Sequence, residues 1–182
     1  MVVAGFALRL NPAYTEAALN LAVIYNDMGK YAEAKEVYQA ALSRQKGAPG
    51  ELDPYVMKKV ANMYADIGDV FASSGVWQKA IEEYRRALAH FPEFVDIRLK
   101  LGNALRDAGD NAAALAEYEQ VIAQNPSYIP GRINYGIALY SAGRRDEAVK
   151  VWEDVLVRSP GNKSAQMYLN LVKDPGKAEV TG

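Results

Sequence analysis

Residues 93–126 read EFVDIRLKLGNALRDAGDNAAALAEYEQVIAQNP, and this stretch decides the architecture. Ile97, Leu101 and Leu105 recur every four residues and mark one helix face, while Ala113, Ala114, Tyr118, Val121 and Ile122 mark a second. Between them, Ala108-Gly109-Asp110-Asn111 is a short polar break with glycine where helices commonly end, and Asn125-Pro126 closes the unit. The stretch therefore predicts a helix, a tight turn and a second helix.

Working outward by subtraction, Gly75, Gly109 and Gly143 lie 34 residues apart, and so do Ala80, Ala114 and Ala148. Tyr84, Tyr118 and Trp152 keep the same interval, as do Pro92, Pro126 and Pro160. A 34-residue period with glycine, small residue, aromatic and proline in that order resembles the tetratricopeptide repeat (TPR). The resemblance implies an all-α, right-handed superhelical α-solenoid of antiparallel helix pairs, in which stacking buries the face that no pair can bury alone.

The period divides the chain into a remnant of a preceding repeat (1–12), repeats at 13–46, 47–92, 93–126 and 127–160, a capping helix (161–173) and a loose tail (174–182). In the first segment Ala7-Leu8 and Pro12 fill the slots of Ala87-Leu88 and Pro92, so the chain is expected to begin inside a second helix. Without its partner helix, that remnant leaves Val2, Val3 and Phe6 poorly covered, which favours truncation or coverage by another chain. Gly29 and Gly75 are 46 residues apart, so repeat two carries 12 extra residues. They are read as a loop at 46–53 followed by an extended first helix beginning at Asp53-Pro54, where aspartate caps and proline starts a helix. The insertion is either a specificity element or a tolerated lengthening.

Composition narrows the function classes. A net charge of −1 lacks the basic footprint of a general nucleic-acid binder. Absence of cysteine removes disulfides, thiolate nucleophiles and cysteine metal sites. No run approaches the roughly 18 apolar residues of a membrane span, so membrane insertion is not expected and a cytoplasmic setting is. His90, the one histidine, has no catalytic or metal partners in sequence and is read as a cation at a helix C-terminus. Pairs such as Glu82-Glu83 with Arg85-Arg86 are read as ordinary solvent-face pairs. With no phosphate loop or nucleophile elbow either, the chain is expected to be no enzyme and to use no cofactor.

The TPR resemblance further implies that the first helix of each pair lines a groove for an extended peptide or partner helix. Helical spacing puts Glu16, Leu19, Asn20, Val23 and Asn26 there from the first repeat and Asn62, Ala65, Asp66, Asp69 and Ser73 from the second. The third adds Asp96, Leu99, Lys100, Asn103, Arg106 and Asp107; the fourth adds Ile133, Asn134, Ile137 and Tyr140; the capping helix adds Met167 and Leu171. The groove so drawn has carboxylates in the middle and an apolar C-terminal end, which suggests a partner with basic residues near apolar anchors. Chaperone-tail clamps of the family need basic residues where Ser164 and Tyr168 stand, so that subtype is not expected. Asn20 and Asn134 resemble rungs of the asparagine ladder in O-linked N-acetylglucosamine transferase repeats, but Asp66 and Lys100 interrupt it. The leading expectation is a scaffold or adaptor that assembles a protein complex. The alternatives are the recognition segment of a larger enzyme, such as a glycosyltransferase, and self-association through the end helices.

Overall fold

The computed structural model describes residues 13–42 and 54–173. Its helices are α1 (Ala13–Asp27), α2 (Tyr31–Leu42), α3 (Pro54–Ser73), α4 (Trp77–His90), α5 (Val95–Asp107), α6 (Asn111–Gln124), α7 (Ile129–Ser141), α8 (Arg145–Arg158) and α9 (Lys163–Lys173). They pack as successive antiparallel pairs, α1 with α2, α3 with α4, α5 with α6 and α7 with α8, and α9 closes over α8. The remnant repeat expected at residues 1–12, the loop expected at 46–53 and the tail expected from 174 lie outside the described residues.

Each pair turns in the same way. At the end of α5 the Gly109 amide donates to the Arg106 carbonyl at 2.9 Å and the Asp110 amide to the Leu105 carbonyl at 2.9 Å, the two crossed bonds that close a helix through a left-handed residue. Gly109 holds φ at 89°, and Gly29, Gly75 and Gly143 repeat the conformation. A side chain there would place Cβ against the following carbonyl. Asp110 then starts α6 by accepting from the Ala113 amide at 3.1 Å, and Asn162 starts α9 by accepting from the Ala165 amide at 2.9 Å.

Inside a pair, the two helices meet where an aromatic ring lies on a glycine. The rings of Tyr84, Tyr118 and Trp152 are buried over Gly68, Gly102 and Gly136; a Cβ on Gly102 would stand 2.6 Å from a Tyr118 ring carbon. Burying one such ring is worth about 1.5–3 kcal/mol, provided its polar end finds a partner. Tyr84 donates to Asp69 Oδ1 at 2.7 Å and Tyr118 to Asn103 Oδ1 at 2.8 Å. At the corresponding place in α7 the residue is Ile137, which offers no acceptor, and the ring is tryptophan, whose Nε1 donates to the Ile133 carbonyl at 3.3 Å.

Successive pairs are joined by packing each second helix on the next first helix: α4 on α5, α6 on α7 and α8 on α9. Proline carbonyls at these joints are claimed by the following helix, Pro92 by Arg98 at 3.0 Å, Pro126 by Arg132 at 2.9 Å and Pro160 by Gln166 at 3.1 Å. The joint between the first two pairs differs. α3 has 20 residues against 13 in α5 and in α7, and α2 approaches it only sparsely, α1 meeting α3 directly instead. Side chains span this joint: Tyr38 stands edge-on to Tyr64 at 5.4 Å, and Lys35 donates to Glu83 Oε1 at 2.7 Å. Val70 is consequently exposed, whereas Ala104, Ala138 and Val172 at the same place in later first helices are buried.

The apolar core follows the stack as two clusters. One runs from Ala18 to Ala138, and the other gathers Ile133, Leu139, Trp152, Val155, Leu169 and Val172; α7 contributes to both.

These contacts predict unequal costs for two substitutions of the same size. Gly102→Ala, which drives Cβ into the Tyr118 ring, is expected to lose about 1–3 kcal/mol. Gly109→Ala has open space around its Cβ and should lose about 1–2 kcal/mol from its positive φ alone. Urea unfolding followed by circular dichroism measures both, and no loss in Gly102→Ala would refute the ring-on-glycine contact.

Candidate functional site

Side chains on the first helices of the pairs share one face, because hydrogen bonds run from each first helix to the next. Asn26 Nδ2 on α1 donates to Asp66 Oδ2 on α3 at 2.8 Å. Lys100 Nζ on α5 donates to Asp69 Oδ2 on α3 at 2.6 Å. Arg106 Nη1 on α5 donates to Asn134 Oδ1 on α7 at 3.2 Å, while its Nη2 pairs with Asp107 Oδ1 at 2.9 Å. Asp96, in the first turn of α5, accepts from the Tyr128 hydroxyl.

Of the groove residues drawn from the sequence, Asp66, Asp69, Asp96, Lys100, Asn103, Arg106, Asp107 and Asn134 form one polar strip. Asn20 is exposed on the same face of α1. Toward the C-terminal end the strip becomes apolar. Ile137 is half-buried, and Tyr140 and Leu171 are exposed; Met167, at 56 % exposure, stands at the repeat position of Leu99 and Ile133, on the side of α9 where no second helix follows among the described residues. Tyr140 leans on Trp152, ring centroids 6.2 Å apart, and Trp152 stacks on Tyr168 at 5.1 Å.

Several expectations are corrected. Leu19, Ala65, Leu99 and Ile133 do not line the face: they are buried in the core, because they sit on the side of each first helix that its own second helix covers. Asn26 is also buried, at 7 % exposure, and Ser73 turns back to donate to the Val70 carbonyl at 2.9 Å. Glu83 is no solvent-face residue; it is buried, with Lys35 and Arg86 both donating to Oε1. His90 is no helix-end cation. It is half-buried, stacked on Tyr64 at 5.7 Å, and shares a 2.7 Å hydrogen bond between its Nε2 and the Tyr38 hydroxyl, and burial holds its pKa below the usual histidine value.

Gly68, Gly102 and Gly136, which let the aromatic rings settle, went unread in sequence although the same 34-residue interval separates them. The polar strip is strengthened by those rings. Burial pushes the Tyr118 phenol up to about 12, so it remains a donor to Asn103 and fixes that amide's orientation. Among the described residues no group of three or more histidine, aspartate or glutamate side chains is placed to hold a metal, and no helix is long and apolar enough to cross a membrane.

Comparison with known proteins agrees with this architecture. Three tetratricopeptide-repeat family models match residues 14–93, 65–129 and 105–169. No curated protein matches by sequence. Among solved structures, the second TPR domain of human RPAP3 in complex with the HSP70 peptide SGPTIEEVD is 26% identical with a TM-score of 0.59, over 66% of this chain and 98% of that one. The first TPR of Spaghetti (RPAP3), bound to the HSP90 peptide SRMEEVD, is 22% identical with a TM-score of 0.61, over 65% and 94%. YrrB, a TPR protein with an unusual peptide-binding site, is 20% identical with a TM-score of 0.65, over 90% and 78%.

The joint at His90 predicts a pH profile. The folded site resists protonation, so below the ordinary histidine value of about 6.5 the unfolded chain takes up a proton that the folded chain refuses. Stability is therefore full above that value and declines as pH falls through it. Melting temperatures of wild type and His90→Gln between about pH 7.5 and about pH 5.5 should converge in slope only if His90 plays no part; the expected result is a flatter profile in the variant.

Proposed function

The chain belongs to the tetratricopeptide-repeat family, and on that premise we propose that it is a non-catalytic scaffold that holds a peptide or helix of a partner protein against its first-helix face and so helps to assemble a complex. One observation carries the reading. Tyr140 and Leu171 leave apolar surface exposed on that face, next to a polar strip whose side chains are held in place by hydrogen bonds between helices.

Exposed apolar surface bordered by oriented polar groups is what a peptide needs: anchors that gain from leaving water, and donors and acceptors that satisfy its backbone. Peptide complexes of the RPAP3 domains and the peptide-binding site of YrrB support this mode of use. The polar strip is preorganised. Arg106, Asn134, Asn103 and Tyr118 are bonded to one another or to neighbours before any ligand arrives, so binding costs little further side-chain ordering.

The test is a peptide-array screen against the purified chain, repeated with Tyr140→Glu and with Leu171→Glu. Either substitution should reduce binding of the selected peptides at least about tenfold, the order expected for a lost apolar anchor, with helicity by circular dichroism unchanged. Val157→Glu serves as control: Val157 is 80 % exposed on α8, a second helix away from the face, and should leave binding intact. Equal binding by all variants would rule out the first-helix face.

A further inference from the structure

Resting on the reading above, we propose that the occupant of the first-helix face is a cationic, apolar-anchored segment: one or more leucine or aromatic residues on Tyr140 and Leu171, with lysine or arginine lying over Asp66 and Asp96.

The apolar end selects the anchor. In α3 and α5 the positions matching Ile137 and Leu171 are Asp69 and Asn103, both bonded to a tyrosine hydroxyl. In α7 and α9 they are isoleucine and leucine, and Arg106 of α5 is replaced by Tyr140 in α7. The surface therefore passes from polar to apolar along a single direction, which sets the orientation of whatever lies on it.

Charge selects the rest of the segment. Both cations of the strip are already neutralised, Lys100 by Asp69 and Arg106 by Asp107. Among the described residues Asp66 and Asp96 meet only neutral donors, the Asn26 amide and the Tyr128 hydroxyl, so each leaves an unbalanced negative charge on an exposed side chain. The Asn26–Asp66 contact is also short of donors. Asn26 is nine-tenths buried, and its Oδ1 accepts from no group among the described residues. An ammonium or guanidinium brings several N–H donors and a positive charge, and it answers the unbalanced charges of Asp66 and Asp96; the buried Asn26 Oδ1 lies below its reach. An acidic segment such as SRMEEVD meets the wrong sign of field over the middle of the strip and is disfavoured there.

The experiment measures affinities by fluorescence anisotropy for three labelled peptides of one apolar pattern, whose remaining positions carry lysine and arginine, serine, or glutamate. Wild type should bind the cationic peptide at least about tenfold more tightly than the serine peptide and bind the glutamate peptide least, with the preference shrinking as salt is raised. Asp66→Asn with Asp96→Asn should bring the ratio of cationic to serine peptide affinity close to one. Lys100→Met, which removes the cation from Asp69, should strengthen cationic binding severalfold. If the serine peptide binds, weakens with Tyr140→Glu, and the cationic peptide gains nothing, the charge proposal is overturned and the binding face stands. If none of the three binds, the binding face and this proposal fail together.

Discussion

The structure depends on one contact made three times, the seating of a second-helix aromatic ring on a first-helix glycine. A helix pair in isolation has too little buried surface to be stable, and the close approach at Gly68, Gly102 and Gly136 is what draws the helices of the last three pairs together into units that can stack. It also ties core to surface. The phenols of Tyr84 and Tyr118 cross the pair to reach Asp69 and Asn103, so the ring that fills the core also orients side chains on the first-helix face. Where the acceptor gives way to Ile137, the phenol gives way to an indole that bonds to backbone. The polarity of the face and the identity of the core ring therefore change together.

The joint between the first two pairs follows another rule. Elsewhere a second helix packs against the next first helix, but α2 reaches the second pair through Tyr38, Lys35 and their partners on α3 and α4. Such a joint adds a buried carboxylate and a half-buried histidine to the apolar cluster that crosses it. Polar joints of this kind are specific in geometry and sensitive to their protonation state, because removing one partner strands another in a poor solvent.

The solenoid was legible in the sequence because its signals are periodic: four classes of residue kept one interval, and chance does not do that. The turn glycines and the core aromatics followed from the same spacing. The face was legible only in outline. Helical spacing puts Leu99 and Lys100 on neighbouring parts of the α5 surface, yet the second helix buries one and leaves the other partly open, and where that shadow ends is a tertiary fact. Leu19, Ala65 and Ile133 failed for the same reason. His90 and Glu83 were misjudged because they occur at the irregular joint, where repeat arithmetic has no counterpart to compare. The pairing of Lys100 with Asp69 and of Arg106 with Asn134 spans 31 and 28 residues, intervals that no local pattern reveals.

The division of the core into two clusters gives α7 a mechanical role. Ala138 belongs to one cluster, and Ile133 and Leu139 to the other, so α7 is the wall that the two halves share. Solenoids bend like springs, each unit flexing against its neighbours. A segment held along the outward edge of α7 would load both clusters through a helix that they share.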